Sequence, residues 1–373
     1  MRYDRPRIMG ILNVTPDSFS DGGLFNNVRS AVDHGLRLID EGADILDIGG
    51  ESTRPGASRI SAAEQLSRVL PVIEELKRQA GNRVIISIDT TLAEVARAAI
   101  TAGASMINDV SAGRDDPAMF SLAAGLDCPI ILMHMQGTPA TMQDQPVYAN
   151  VVREVLDFLL ARAAAAEAVG VLSHNIIIDP GIGFGKTLDH NLQLLQQLQQ
   201  FTASDYPVML GASRKRFLKT LCREEDPMQL AGATCATTVL GVQAGVQLFR
   251  VHDVRENRQA ADMAWRMLQP VVCHSGSEVI IPEAQITQRL LSLPGWHISQ
   301  GQLYRYYRTG DWNAAISLVN RISAAAEAAD HHPDIQLSYG SVEVSLYTHS
   351  AGGITNKDFD LATRIESLSR PPK

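Results

Sequence analysis

Cysteine is scarce in this sequence, and Cys128, Cys222, Cys235 and Cys273 stand far apart with no Cys-x-x-Cys pair among them. That argues against a disulfide scaffold and against a cysteine-based zinc site, and makes a reducing cytoplasm the expected home. Long hydrophobic runs are missing too: none approaches the ~18 residues that a membrane-spanning helix needs. The N-terminal stretch MRYDRPRIMGILNV has no basic segment followed by a long apolar core, so no export signal is expected. Positive charge is not in excess. A net charge of -8 argues for solubility and against a nucleic-acid or membrane partner, so any anionic ligand must be met by cations placed locally.

What the chain does have is the composition of a globular protein, 45% hydrophobic and 20% charged. Its 373 residues leave room for one large domain of ~250 residues and a small one. Short apolar runs that end in polar residues recur at Ile8 to Asn13, Ile45 to Gly50, Val84 to Asp89, Met106 to Asp109, Ile130 to His134, Ile176 to Asp179, Val208 to Ser213 and Leu248 to Asp253. Between them, Ser30 to Glu41, Leu92 to Ala102, Val151 to Val169 and Ala231 to Ala244 have helical spacing. Strand-helix alternation repeated in this way predicts an α/β fold, a (β/α)8 TIM barrel over residues 1–272, with parallel strands buried on both faces. An open doubly wound sheet has the same periodicity, and the number of units favours the barrel. Residues 273–280 read as a linker. Residues 281–373 predict a small α+β domain, an antiparallel sheet with helices on one face. Its long helix is expected to bury a stripe of Trp312, Ala315, Ile316, Val319, Ile322 and Ala326.

In a barrel the C-terminal strand ends form the active face, so the polar endings become site candidates. Arg250 and His252 are two apart on one strand and form a cationic pair, while Ser213-Arg214-Lys215 and Ser52-Thr53-Arg54 add cations and hydroxyls to the same rim. Cations that converge in an acidic protein suit a phosphate or pyrophosphate; ion pairs with Asp253 or Glu51 are the plainer reading. Asn13, Asp89, Asn108 and Asp179 also end strands, and such acceptors suit a heterocycle with adjacent N–H donors. Asp179 precedes Pro180-Gly181, so it could equally start a turn. The run Pro180 to Thr187 misses the nucleotide-binding P-loop pattern by one residue, because proline stands where the first glycine must be and removes a backbone donor.

The segments NVTPDSFSDGG, GGESTRPG, IDT, INDVS, DPGIGFGK, GASRK and RVHDV occur in this order between Asn13 and Val254. Together they resemble dihydropteroate synthase. The resemblance implies condensation of 6-hydroxymethyl-7,8-dihydropterin pyrophosphate with p-aminobenzoate, with Mg2+, giving 7,8-dihydropteroate and pyrophosphate. It assigns the pterin to Asp89, Asn108, Asp179 and Lys215, with Met133 and Phe184 lining the slot. Asn13, Arg250 and His252 would hold the pyrophosphate and its metal, Asn13 as the metal ligand. Thr53, Arg54, Phe19 and Ser213 would lie near the aminobenzoate, and the loops from Thr15 to Asn26 and Ser52 to Gly56 would close over the site. A pterin-binding methyltransferase barrel could share the carboxylates, but would have no need of Arg54, Lys215, Arg250 and His252 around an anion.

Near the other end stands Ala329-Asp330-His331-His332-Pro333-Asp334. A metal site, a turn before proline and acid-base catalysis all remain open for the histidine pair; adjacent histidines do not easily share one ion, and no third ligand has metal spacing. By strand parity His349 falls with Glu343, Ser345 and Tyr347, opposite Val342, Val344 and Leu346, and is expected to face a cleft with the pair. With Glu327, Tyr339, His349 and Asp358 the region resembles pterin-4a-carbinolamine dehydratase; Ile335 departs from the aromatic residue usual there. The resemblance implies that His331, His332 and His349 expel water from a 4a-hydroxytetrahydropterin with no metal. A non-catalytic dimerisation module is the alternative. Both families commonly assemble, so a homo-oligomer, a dimer or larger, is expected.

Overall fold

The structure, a computed structural model, describes residues 5–15, 24–52, 59–138, 141–142, 145–269 and 279–369. The chain divides into two compact units, Met1–Pro270 and Val271–Lys373. Most of the stretch expected as a linker, 273–278, lies outside the described residues, as do Phe19, Thr53 and Arg54.

In the first unit the strands are β1 (Arg7–Asn13), β2 (Ile45–Gly49), β3 (Ile85–Asp89), β4 (Met106–Asp109), β5 (Ile130–Met133), β6 (Ile176–Asp179), β7 (Met209–Leu210) and β8 (Leu248–Val251). They pair in parallel in the order β6-β5-β4-β3-β2-β1-β8-β7, and a parallel bridge from Ile178 to Val208 brings the two ends of that order together. The sheet thus closes into a barrel, which excludes the open doubly wound alternative. Strand β7 is shorter than the apolar run from Val208 to Ser213 suggested: past Leu210 the chain leaves the ladder, and Gly211 passes close to Arg250 and Asp179.

Two apolar layers hold this unit together. Inside the barrel, Met9, Ile45, Met106, Ile131, Ile177, Met209 and Leu248, with Ile85 against them, plug the lower end. Outside it, strand residues such as Ile8, Leu46, Ile86, Ile178 and Phe249 pack under helices Ala62–Ala80, Val151–Ala168 and their neighbours. Each fully buried side chain of this size contributes about 1.5–3 kcal/mol. The plug also sets the site, because side chains two residues further along each strand share its inward direction. From β2 to β8 that rule gives Asp47, Ser87, Asn108, Met133, Asp179, Gly211 and Arg250, and after them Gly49, Asp89, Ser213 and His252. The barrel is apolar below and polar above.

The second unit has β9 (His297–Ser299), β10 (Gln302–Arg308), β11 (Asp334–Ser338) and β12 (Ser341–Leu346), in the antiparallel order β11-β12-β10-β9. Helices Glu283–Leu290, Trp312–Ala329 and Asn356–Ser369 accompany the sheet. The long helix opens on Asp311, whose side chain accepts from the Ala314 N–H at 2.8 Å, and ends on Asp330 in the left-handed region. Its buried stripe is Ala315, Leu318, Ile322 and Ala326. The expected stripe is thereby corrected: Trp312, in the first turn, is 46% exposed, and Leu318 rather than Ile316 faces Val342, Val344 and Leu346 in the core.

Candidate active site

The mouth of the barrel is organised around one guanidinium. Arg250 Nε donates to Asp47 Oδ2 at 2.6 Å and Nη2 to Asp89 Oδ2 at 2.8 Å, so the last strand is tied to β2 and β3 across the interior. Asn108 Nδ2 donates to the same Asp47 oxygen at 2.9 Å. Burial pushes the Asp89 carboxyl up to about 7; Arg250 opposes this and the Asp47 charge adds to it. Arg250 and His252 share a side of the strand, as the spacing suggested, but Arg250 is not a free cation there. Its charge is shared with two carboxylates below the rim.

On the opposite wall Asp179 is buried, and its Oδ1 accepts from the Gly181 N–H at 2.7 Å, so it starts a turn and lines the site at once. Burial raises its carboxyl, against the pull of Lys215. Lys215 is half-buried, donates to the Ile182 carbonyl and stands 4.3 Å from the centre of the Phe184 ring. Burial brings its ammonium down to about 7, with Asp179 working the other way. Met133 and Phe184 pack with Val110, Met135 and Met142, an apolar cluster at the edge of these acceptors.

The rim residues separate. Ser213 Oγ lies 3.0 Å from His252 Nδ1 and accepts from the His252 backbone N–H at 3.1 Å. Arg214 turns away and pairs with Asp253, Nε to Oδ2 at 3.0 Å, so for this cation the plain ion-pair reading is the right one. Asn13 ends β1 half-buried. At the base of the loop after β2, Gln65 donates to Glu51 at 2.7 Å and accepts from Thr90 at 2.8 Å. Asp109, beside Asn108, accepts from the Ser111 and Gly113 backbones and so holds the next loop. Of the residues the sequence pointed to, Asp89, Asn108, Asp179, Lys215, Arg250, Met133 and Phe184 gather with Ser213 and His252 in the polar upper part of the barrel.

In the second unit the histidine pair is split. His331 is buried, its Nε2 2.8 Å from Asp358 Oδ1. The other Asp358 oxygen accepts from Thr348 Oγ1 and the Thr355 N–H, each at 2.7 Å. His332 is exposed, with Nε2 2.8 Å from Glu327 Oε2. His349 lies beyond the end of β12, exposed, its ring 5.2 Å from that of Tyr347. Among the described residues no group of three or more His, Cys, Asp or Glu could hold a metal ion.

Residues 9–252 match the family described as pterin binding enzyme, and residues 280–368 match pterin 4 alpha carbinolamine dehydratase. A dihydropteroate synthase of Synechocystis is 44% identical over 265 residues, covering 70% of this chain and 91% of the relative. The solved structure of Xanthomonas albilineans dihydropteroate synthase with 4-aminobenzoic acid superposes with a TM-score of 0.67 at 49% identity, covering 72% and 94%. That enzyme in complex with 7,8-dihydropteroate gives 0.65 at 46% identity, covering 72% and 95%. The chain belongs to the dihydropteroate synthase family of pterin binding enzymes. Its second unit matches the dehydratase family.

Asp47, which ties Asn108 to Arg250 at the barrel mouth, and the threonines of the second unit, Thr348 and Thr355, are not among the residues the sequence pointed to. A signal for Asp47 was there: Ile45-Leu46-Asp47-Ile48 places a lone carboxylate inside a strand whose every residue is buried. A charge in such a place needs a cationic partner. For the threonines there was none, because only folding brings Thr348 to Asp358.

Proposed function

We infer that the barrel joins 6-hydroxymethyl-7,8-dihydropterin pyrophosphate to p-aminobenzoate, releasing 7,8-dihydropteroate and pyrophosphate in folate synthesis. One observation carries this assignment: a layer of buried acceptors, Asp89, Asn108 and Asp179, faces cations, Lys215 and Arg250, at one barrel mouth. The acceptors suit the ring N–H groups of an aminopterin, and the cations suit the anion on its side arm. A methyltransferase barrel has no use for that second half.

The chemistry asks for little acid-base work. The amine of p-aminobenzoate is a weak nucleophile, so the carbon-oxygen bond to pyrophosphate must loosen as the carbon-nitrogen bond forms, and the amine proton leaves to solvent or the departing anion. Asp89 and Asp179 favour the positive charge that spreads into the ring. Arg250, steadied by Asp47 and Asp89, and His252, steadied by Ser213, meet the leaving pyrophosphate. We assign Mg2+ to the Asn13 side of the mouth. A single amide oxygen fits an ion that takes most of its ligands from substrate phosphates and water, and Mg2+ held there would supply charge for the departing oxygens. Pyrophosphate release that requires both p-aminobenzoate and Mg2+ tests the assignment; folded protein that releases none overturns it.

For the second unit we propose dehydration of a 4a-hydroxytetrahydropterin. The support is that His331 and His332 each have their own carboxylate, Asp358 and Glu327, so that one imidazole can give a proton to the leaving hydroxyl while another takes one from the ring. Decay of the 4a-hydroxy compound should be accelerated by the protein, and His331→Ala and His349→Ala should each remove most of the effect; acceleration that survives both overturns the histidine mechanism. A cytoplasmic homo-oligomer is the assembly we favour. Cys128, Cys222 and Cys235 are free thiols, and no described helix is long and apolar enough to cross a membrane. Exposed Leu221 and Leu240 edge an apolar groove of about 490 Å³ that self-association would cover.

A further inference from the structure

The upper layer of the barrel holds three buried polar atoms without a hydrogen-bond partner among the described residues, Asp47 Oδ1, Ser87 Oγ and Asn108 Oδ1, and the last is the one whose orientation a neighbour dictates. Asn108 is 1% exposed; its Nδ2 is spent on Asp47, and its Oδ1 is buried without a hydrogen-bond partner among the described residues. Asp47 is fully buried, and the same oxygen that receives Asn108 also receives Arg250 Nε. A carboxylate paired with a guanidinium in this way can only accept. It therefore dictates which end of the Asn108 amide it meets: the NH2 group turns to Asp47, and the carbonyl oxygen is what remains for a ligand. A buried acceptor without a donor is costly, and an incoming N–H removes that cost.

We propose that Asp47 is a positioning residue that fixes the Asn108 amide with its carbonyl oxygen available to the slot, making the pocket selective for a ring N–H at that point. The proposal rests on the pterin reading of the barrel and deepens it. With Asp89 beside it and Asp179 opposite, Asn108 presents an acceptor at that point, so a heterocycle offering a ring acceptor there is refused, and a lactam or amino-substituted ring offering N–H is taken. Asp47 need not touch the substrate. It acts through Asn108 on one side and Arg250 on the other, which couples the hold on the ring to the hold on the anion.

The test removes the acceptor and then restores it. In Asp47→Leu nothing dictates the Asn108 amide, whose NH2 is free to enter the slot. KM for the dihydropterin pyrophosphate should rise about 10- to 100-fold, the effect of one mispaired buried group, with kcat within about threefold. Asp47→Asn keeps an amide oxygen where the shared carboxylate oxygen stood, accepting from both Asn108 Nδ2 and Arg250 Nε, and should keep KM within about fivefold of wild type. Loss of a merely structural contact would lower kcat and thermal stability alike and would not be rescued by the amide. An unchanged KM in Asp47→Leu overturns the proposal, and so does an Asp47→Asn variant that is no better than Asp47→Leu. If Asp47→Leu does not fold, Asp47→Asn decides: a KM raised beyond about fivefold overturns the proposal. Wild-type protein that releases no pyrophosphate sinks the synthase reading and this proposal with it; active wild type with the wrong variant pattern sinks the proposal alone.

Discussion

Lys215 and Asp89 are both brought to about 7 by burial, the base from above and the acid from below. As pH falls below 7, Asp89 takes a proton and stops accepting from the ring; as pH rises above 7, Lys215 loses the charge that complements Asp179. The pH profile of kcat/KM for the pterin substrate should therefore be a narrow bell centred near neutrality. Lys215→Arg should carry away the alkaline limb, since a guanidinium keeps its proton. Stability responds with its own sign. Burial of the Lys215 ammonium costs stability in full below about pH 7, so stability should recover as pH rises from about 7 toward 10.5, readable as a rising Tm that Lys215→Met lacks. Two arginines at the rim should also part company. Arg214→Ala loses the ion pair to Asp253 and should leave KM for the pterin substrate within about threefold, whereas the Arg250→Ala, His252→Ala double variant should abolish pyrophosphate release.

The loop that follows β6 is shaped by glycines and pinned by a buried lysine. Gly181 has φ +66°, and a Cβ there would sit 1.9 Å from the His134 carbonyl oxygen; Gly185, at φ +63°, would meet the Gln136 carbonyl at 2.6 Å. Both backbones lie against the chain leaving β5, so neither position accepts a side chain. Lys186 closes the same contact, its Nζ 3.0 Å from His134 Nδ1 and 3.0 Å from the Phe184 carbonyl. Burial, with the Lys186 and Arg114 charges, holds the His134 imidazole down to about 2, so it accepts rather than donates. In the segment that came within one residue of a P-loop, the lysine thus braces Phe184 from within the protein. Gly181→Ala should destabilise the barrel by about 3 kcal/mol or more, measured by denaturant unfolding. Any folded fraction should bind pterin weakly, because Asp179 and Phe184 flank the displaced turn.

At the scale of the whole chain, the units Met1–Pro270 and Val271–Lys373 have separate cores, one built on the barrel plug and its outer layer, the other on Trp296, Leu318, Val344 and Ile365. Protein cut at about residue 276 should give two pieces that fold separately. The first should retain pyrophosphate release at close to the rate of the full chain, and the second should retain any acceleration of 4a-hydroxytetrahydropterin decay. A first piece that is folded yet inactive would show that the synthase needs its companion.

Much of this was determined by the sequence alone. Apolar runs closed by Asn13, Asp89, Asn108 and Asp179 announce strands buried on both faces, and a barrel displays strand ends together, so position in the run was enough to locate the mouth. The ordered motifs were specific enough to name the chemistry. What needed the tertiary structure was pairing. Arg250 could have met His252, Asp253 or a carboxylate several strands away, and only the register of a closed sheet shows that it meets Asp47 and Asp89 while Arg214 takes Asp253. Likewise the adjacent histidines look equivalent in the chain, yet one turns inward to Asp358 and the other outward to Glu327. Periodicity fixes which way a side chain points along its own element. Which partner it finds across the interior depends on how distant segments are brought together, and a local pattern carries no record of that.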